Sequence, residues 1–197
     1  MTQIKVCGLT RARDVDLCLE LGVERLGFVL APSPRQISLA QLDGLLARGP
    51  FFWSAVLVDP GPQLLEELLS RNCPCLQFHG SENAEVLESY RGRAHIVKAL
   101  RISGPEQLEV NLPADEYLLD GARPGQGEPF QWSWVNKNRP NRPFYLAGGL
   151  TPENVSEAIA CVAPLGVDVS SGVEEAPGVK SETRLRAFIR GVRGPGD

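Results

Sequence analysis

Short apolar runs alternate with segments of helical periodicity along the whole chain, and this alternation limits the possible folds more than any other feature. Eight runs have the length and composition of buried strands: 4–7, 25–30, 52–58, 75–79, 95–100, 116–119, 144–147 and 166–170. Between most of them, apolar residues recur at the i, i+3, i+4, i+7 spacing of one buried helix face, as at Leu185, Phe188, Ile189 and Val192. This order predicts a parallel sheet covered by helices. Eight units favour closure into a (β/α)₈ TIM barrel over an open doubly wound sheet.

The length of 197 residues fits a single barrel domain spanning 1–197, although such barrels typically take about 250 residues. Some crossovers must therefore be short. The segment 103–113 contains Gly104, Pro105 and Pro113 and predicts one reduced crossover. The Pro- and Asn-rich segment 132–143 leaves room for a short helix at most.

Composition excludes several classes of function. The net charge of −4 gives no basic surface for nucleic acid, and no apolar run approaches the length needed to cross a membrane. The five cysteines are an odd set without regular spacing, and Cys73-Pro74-Cys75 with only two histidines does not predict a metal site. We therefore expect a soluble protein of the reducing cytoplasm, without a bound metal.

Two reactive side chains end predicted strands. Cys7 ends the first strand before a glycine, and Asp120 ends the sixth. Each has an ordinary explanation, since free cysteines are commonly buried and aspartates commonly form turns. In a barrel, however, both would lie at the active face, where one group could donate a proton and the other accept one.

The last two strand ends predict a phosphate site. Gly148 and Gly149 follow the seventh strand, and Ser170, Ser171 and Gly172 follow the eighth. Tight turns also use such residues, but phosphate sites of these barrels are commonly built from these two loops. Thr151 is expected to cap the next helix, as Thr10 is expected to cap the first.

Three further residues are candidates for substrate binding. Arg35, in a Pro-containing loop after the second strand, is suited to a carboxylate or phosphate, although alone it could be a solvated surface residue. His79 could line the pocket or satisfy a strand-end hydrogen bond. Asp168 could contact substrate or hold loops together. Asp59 is interpreted mainly as a turn residue.

Taken together, the strand-end motifs resemble those of the phosphoribosylanthranilate isomerase family over nearly the whole chain. The motifs are KVCGLT at 5–10, GFVL at 27–30, SPR at 33–35, QFHG at 77–80, LLD at 118–120, LAGGL at 146–150 and DVSSGVE at 168–174. The resemblance implies a compact barrel with a reduced fifth helix, which explains how a barrel can fit in 197 residues. It also implies a place in tryptophan biosynthesis.

The implied reaction is the Amadori rearrangement of N-(5-phosphoribosyl)anthranilate to 1-(2-carboxyphenylamino)-1-deoxyribulose 5-phosphate, without a cofactor. By the resemblance, Asp120 is the general acid and Cys7 the general base. Arg35 matches the ligand of the anthranilate carboxylate, and Gly149 with the turn from Ser170 to Gly172 matches the phosphate site. Barrels of this kind occur as monomers and as homodimers, and either is expected here.

Some residues depart from the family pattern. Gly-Gln-Gly-Glu-Pro at 125–129 replaces the usual Gly-Gly-Thr-Gly and basic residue, Gln131 stands where an acid is common, and Phe78 replaces a leucine. Two other readings stay open. One is a phosphosugar isomerase of histidine biosynthesis. Enzymes of that kind resemble one another in carrying an Asp at the end of the first strand, so Cys7 argues against this interpretation. The other is a non-catalytic phosphate-binding protein, against which the presence of Cys7 and Asp120 argues.

Overall fold

The computed structural model describes residues 1–121 and 130–194, and its centre is a closed barrel of eight parallel strands in sequential order. The strands are β1 (Gln3–Cys7), β2 (Arg25–Val29), β3 (Trp53–Leu57), β4 (Cys75–Phe78), β5 (His95–Ile102), β6 (Glu116–Gly121), β7 (Phe144–Leu146) and β8 (Gly166–Val169). Pairing of β1 with β8 closes the barrel. The predicted (β/α)₈ fold and all eight strands are confirmed.

Seven α-helices surround the barrel in the described part of the chain. They are α1 (Ala12–Glu20), α2 (Leu39–Leu46), α3 (Pro62–Ser70), α4 (Ala84–Tyr90), α5 (Ser133–Lys137), α6 (Val155–Val162) and α7 (Glu182–Arg193). The fifth crossover holds only a 3₁₀ turn, Pro105–Leu108, and α5 is a single short helix. The reduced crossovers predicted from the prolines and glycines are therefore confirmed, and they explain how the barrel fits this length.

Most of the apolar core lies between the barrel and its helices. Helix α7 buries Leu185, Phe188 and Ile189 against the sheet, as the spacing of these residues predicts. A smaller apolar cluster lies inside the barrel on β4 to β7, around Leu118 and Tyr145. No helix within the described ranges is both apolar and long enough to cross a membrane.

Two predicted helix caps are wrong. The Thr10 hydroxyl donates to the carbonyl of Gly178 at 2.6 Å, and α1 begins after Arg11. Helix α6 begins at Val155 after Asn154, whose side chain accepts from the Thr151 amide at 2.8 Å. Thr10 is bound by the distant loop at Gly178, whereas the Thr151 hydroxyl accepts from the Glu153 amide at 3.3 Å in a turn before the helix. Each helix therefore starts one turn or less downstream.

After β8 the chain forms a hairpin that returns to the mouth of the barrel. A 3₁₀ turn, Ser171–Val173, leads into β9 (Glu174–Ala176), which pairs antiparallel with β10 (Val179–Lys180). The hydrogen bond from Thr10 docks this hairpin on the loop after β1. The hairpin therefore adds residues to the same end of the barrel as the strand termini.

Candidate active site

One cavity of about 470 Å³ opens at the carboxyl ends of the strands, and it brings together every residue that the sequence singled out as a site candidate. These are Cys7, Arg35, His79, Asp120, Gly148, Gly149, Asp168, Ser170, Ser171 and Gly172. Apolar side chains form part of the wall, namely Val29, Ala31, Val56, Val58, Leu118 and Leu150. The cavity therefore combines an apolar surface with acidic, basic and thiol groups.

Cys7 is the last residue of β1 and is partly buried at the cavity floor. Its neighbour in the sheet is Gly27 of β2. A Cβ atom on Gly27 would lie 2.8 Å from Cys7 Sγ and 3.1 Å from Lys5 Nζ. The glycine thus leaves the space in which the thiol and the Lys5 ammonium lie side by side.

Lys5 is a buried cation beside the thiol. Its Nζ donates to Asp168 Oδ2 at 2.8 Å, and its side chain is only 1% exposed. Burial raises the pKa of the Cys7 thiol above its ordinary value, and the Lys5 charge opposes that rise. The burial and pairing of Lys5 come from the register of β1 with β8, which places Lys5 beside Asp168.

Asp120 lies across the cavity at the end of β6. Burial raises its pKa to about 6, and the negative charge of Asp168 adds to the rise. Gly148 makes room for this carboxyl group, because a Cβ atom there would lie 2.8 Å from Asp120 Oδ1. The carboxyl group therefore holds a proton at a higher pH than an ordinary aspartate does.

Arg35 is not a solvated surface residue. Its guanidinium forms two short hydrogen bonds with Glu174, Nε to Oε1 at 2.8 Å and Nη2 to Oε2 at 2.6 Å. Its aliphatic part crosses Gly8, where a Cβ atom would lie 2.5 Å from Arg35 Cδ and where φ is +74°. Gly8 thus serves both a left-handed turn and the close approach of the arginine.

Two polar side chains complete the floor. Burial lowers the pKa of His79 to about 3, so its ring is neutral, and its Nε2 lies 2.5 Å from the side-chain nitrogen of Gln77. Asp168 pairs with Lys5 through Oδ2, whereas its buried Oδ1 has no hydrogen-bond partner among the described residues. That oxygen is therefore available to accept a hydrogen bond from a group in the cavity.

The loops after β7 and β8 pack tightly on each other. Gly148 and Gly149 both have positive φ, +79° and +68°. Gly172 could not carry a side chain, since a Cβ atom would lie 1.9 Å from the carbonyl oxygen of Leu150. Ser171 and Gly172 begin a 3₁₀ turn, so their amide groups are not used by that turn. The two loops present main-chain donors to the cavity.

Two other functional candidates were missed. Glu174 and Lys180 lie behind Arg35, at the hairpin, and no signal in the sequence marked them because charged side chains are mostly exposed. The segment 125–129, where the sequence departs from the family pattern, lies outside the described residues. Within 1–121 and 130–194, no cluster of His, Cys, Asp or Glu side chains has the arrangement of a metal site.

Comparison with known proteins decides the family. The family model described as N-(5'phosphoribosyl)anthranilate (PRA) isomerase matches residues 4–191. The chain belongs to this family. The PRA isomerase of Cellvibrio japonicus is 42% identical over 94% of this chain and 91% of its own length. The predicted family and its class, an isomerase, are confirmed.

Solved PRA isomerases share the architecture. The enzyme from Thermus thermophilus superposes with a TM-score of 0.89 at 38% identity, over 98% of each chain. A PRA isomerase in complex with reduced 1-(o-carboxyphenylamino)-1-deoxyribulose 5-phosphate has a TM-score of 0.88 at 32% identity, over 99% of this chain and all of its own. The barrel and its crossovers are thus those of the family.

Proposed function

We propose that this chain converts N-(5-phosphoribosyl)anthranilate to 1-(2-carboxyphenylamino)-1-deoxyribulose 5-phosphate, with Asp120 as general acid and Cys7 as general base. The observation that carries the proposal is the placement of both groups in one cavity with Arg35 and the two glycine loops. The substrate carries a phosphate at its sugar end and a carboxylate at its anthranilate end. The cavity offers a cation for one end and main-chain donors for the other.

Asp120 acts first in this proposal. A carboxyl group whose pKa is about 6 is protonated in about one tenth of the molecules at pH 7. The proton goes to the ring oxygen of the ribose, the bond from that oxygen to C1′ breaks, and the amino nitrogen supplies the electron pair that forms the iminium. A buried carboxyl group is suited to this step because burial raises the fraction that still carries its proton near neutral pH.

Cys7 acts second. Its thiolate takes the proton from C2′, and the electrons of that bond form the enolamine, which tautomerises to the ketone. Burial disfavours the thiolate, and the ammonium groups of Lys5 and Lys180 favour it. The reactive form carries a proton on Asp120 and the negative charge on the Cys7 sulfur. It is the minor form, because the thiol holds its proton more tightly than Asp120 does.

The remaining candidates hold the substrate. The main-chain donors around Gly149 and Ser171 bind the phosphate, where a nest of amides suits an anion. Arg35 binds the anthranilate carboxylate, and Asp168 Oδ1, the acceptor without a partner in the described structure, takes a ribose hydroxyl. His79, a neutral ring on the cavity wall, contacts the sugar. All five cysteines are free thiols, which supports the proposal that the protein works in the cytoplasm.

Variants of the two reacting groups test this function. Cys7→Ala and Asp120→Asn are each expected to lower turnover by at least about 100-fold, the effect typical of removing a general base or acid. Both should still bind the reduced product analogue within a few-fold of the wild type, because neither supplies the anion ligands. A variant that loses binding but keeps turnover of the bound substrate would show that the roles are wrongly assigned.

A further inference from the structure

The Glu174 carboxylate is held between two cations at the edge of the cavity. Arg35 reaches it with Nε and Nη2, and Lys180 Nζ reaches Oε1 at 2.7 Å. The Glu174 side chain is 5% exposed and the Lys180 side chain is fully buried. Ion pairs shielded from water in this way have one fixed geometry, unlike pairs on a solvated surface.

Lys180 also joins three separate parts of the mouth. Besides Glu174, its Nζ donates to the carbonyl oxygen of Cys7 at 2.6 Å and to that of Ser170 at 3.2 Å. Cys7 is the last residue of β1, and Ser170 directly follows β8. The main chain of Lys180 is fixed as well, since its amide donates to Asp14 Oδ2 at 3.1 Å. The ammonium group therefore holds Glu174 at a set distance from both strand ends.

The cluster carries one more positive than negative charge. Arg35 and Lys180 are cations, and among the residues described Glu174 is the one carboxylate bonded to both. Glu174 occupies the Nε and Nη2 edge of the guanidinium, and Nη1 has no hydrogen-bond partner within the described residues. The remaining edge of Arg35, a residue that lines the cavity, is therefore available to bind a second anion.

We propose that Glu174 and Lys180 are positioning residues that hold the Arg35 guanidinium with its free edge toward the substrate carboxylate, and so set the preference for a carboxylated ring. This inference rests on the proposed function, in which Arg35 binds that carboxylate. Neither Glu174 nor Lys180 contacts the substrate. Arginine has a long side chain with many rotamers, so fixing it beforehand removes an entropic cost from binding.

A pair of ligands measures this preference directly. One is reduced 1-(o-carboxyphenylamino)-1-deoxyribulose 5-phosphate, and the other is its phenylamino counterpart without the carboxylate. The ratio of their dissociation constants reports the carboxylate contact alone, because phosphate and sugar are the same in both. For the wild type we expect a ratio of at least about tenfold, the size of a charge-assisted hydrogen bond.

Glu174→Gln keeps the shape of the side chain and removes its charge. We expect the ratio to fall at least about fivefold, with the affinity for the ligand without carboxylate changed less than about twofold. Lys180→Met should lower the ratio in the same direction. Glu174→Asp keeps the buried negative charge and shortens the reach to Arg35, so it should fold and still lower the ratio several-fold.

The outcomes separate two claims: that Arg35 binds the substrate carboxylate, and that Glu174 and Lys180 position Arg35. A ratio near one in the wild type would refute the role of Arg35 and hence the carboxylate site itself. A high wild-type ratio that persists in Glu174→Gln and Glu174→Asp would overturn the positioning role while leaving Arg35 in place. A merely structural role predicts equal losses for both ligands, which would also overturn the inference.

A matched control lies at the opposite end of the barrel. Glu116 pairs with Arg25 at 2.8 Å in a site that is about as buried. Glu116→Gln also leaves a buried arginine without its partner, so it should lower the stability of the fold. Its ligand ratio should equal that of the wild type, because nothing near the cavity changes.

Discussion

Replacing Asp120 by asparagine should stabilise the protein although it removes the proposed acid. The carboxyl group is disfavoured as an anion in the fold, where its pKa is about 6, relative to the ordinary value of 3.8 in the unfolded chain. Ionisation therefore favours the unfolded state at every pH above the unfolded value. A difference of about 2.2 pKa units corresponds to about 3 kcal/mol of lost stability at pH 8.

The penalty should shrink as the pH falls. At pH 5 the folded carboxyl group is mostly protonated while the unfolded one is mostly ionised, and linkage gives a remaining penalty of about 1.6 kcal/mol. Below pH 3.8 both states are protonated and the penalty disappears. Asparagine has the same shape and never ionises, so its advantage over aspartate should be about 3 kcal/mol at pH 8 and about half of that at pH 5.

Chemical denaturation at the two pH values measures this difference. Asp168→Asn is the matched control, since it changes a second carboxylate in the same cavity. It would leave Lys5 buried without its partner, so it should destabilise the fold by about 3–5 kcal/mol, opposite in sign to Asp120→Asn. An Asp120→Asn protein that is no more stable than the wild type, or whose gain is the same at both pH values, would refute this account of the site's electrostatics.

Two further predictions follow from the same geometry. The profile of kcat/KM against pH should fall about tenfold per unit below an apparent pKa near 6, because Asp120 and Cys7 then both hold protons and no base remains; activity unchanged down to pH 5 would contradict this. Gly8→Ala should cost about 1–2 kcal/mol of stability for its left-handed backbone and should displace Arg35, raising KM for the carboxylated substrate. Gly92→Ala is the control, because φ there is +79° and a Cβ atom would have no neighbour within 4 Å among the described residues. It should lose similar stability and keep KM, and equal KM changes in both variants would remove Arg35 from the site.

The strands and the meeting of the candidate residues in one cavity could be predicted because both depend on short stretches of sequence. Buried parallel strands are nearly continuous apolar runs, and each ends in polar or glycine residues that the barrel topology collects at one face. Cys7 and Asp120 are far apart in sequence, yet their positions as strand ends were enough to place them in one cavity. Prolines and glycines likewise predicted that the crossover at 103–113 is reduced, and in the structure it holds a 3₁₀ turn, Pro105–Leu108.

The parts that could not be predicted depend on side-chain partners from distant elements. Lys5 is buried because register pairs it with Asp168, and nothing around Lys5 in the sequence indicates that partner. Lys180 is likewise buried through contacts with the ends of β1 and β8. Thr10 was misjudged for the same reason, since its hydroxyl binds the hairpin at Gly178 rather than the start of α1.

The central claim is that the cavity rearranges phosphoribosylanthranilate with Cys7 as the base. The most direct measurement follows the loss of substrate fluorescence, with phosphoribosylanthranilate generated in situ, for the wild type beside Cys7→Ser. The account predicts turnover in the wild type and a loss of at least about 100-fold in the variant, with binding of the reduced product analogue retained. A wild type that binds the analogue without turning over the substrate, or a Cys7→Ser protein of normal activity, would contradict it.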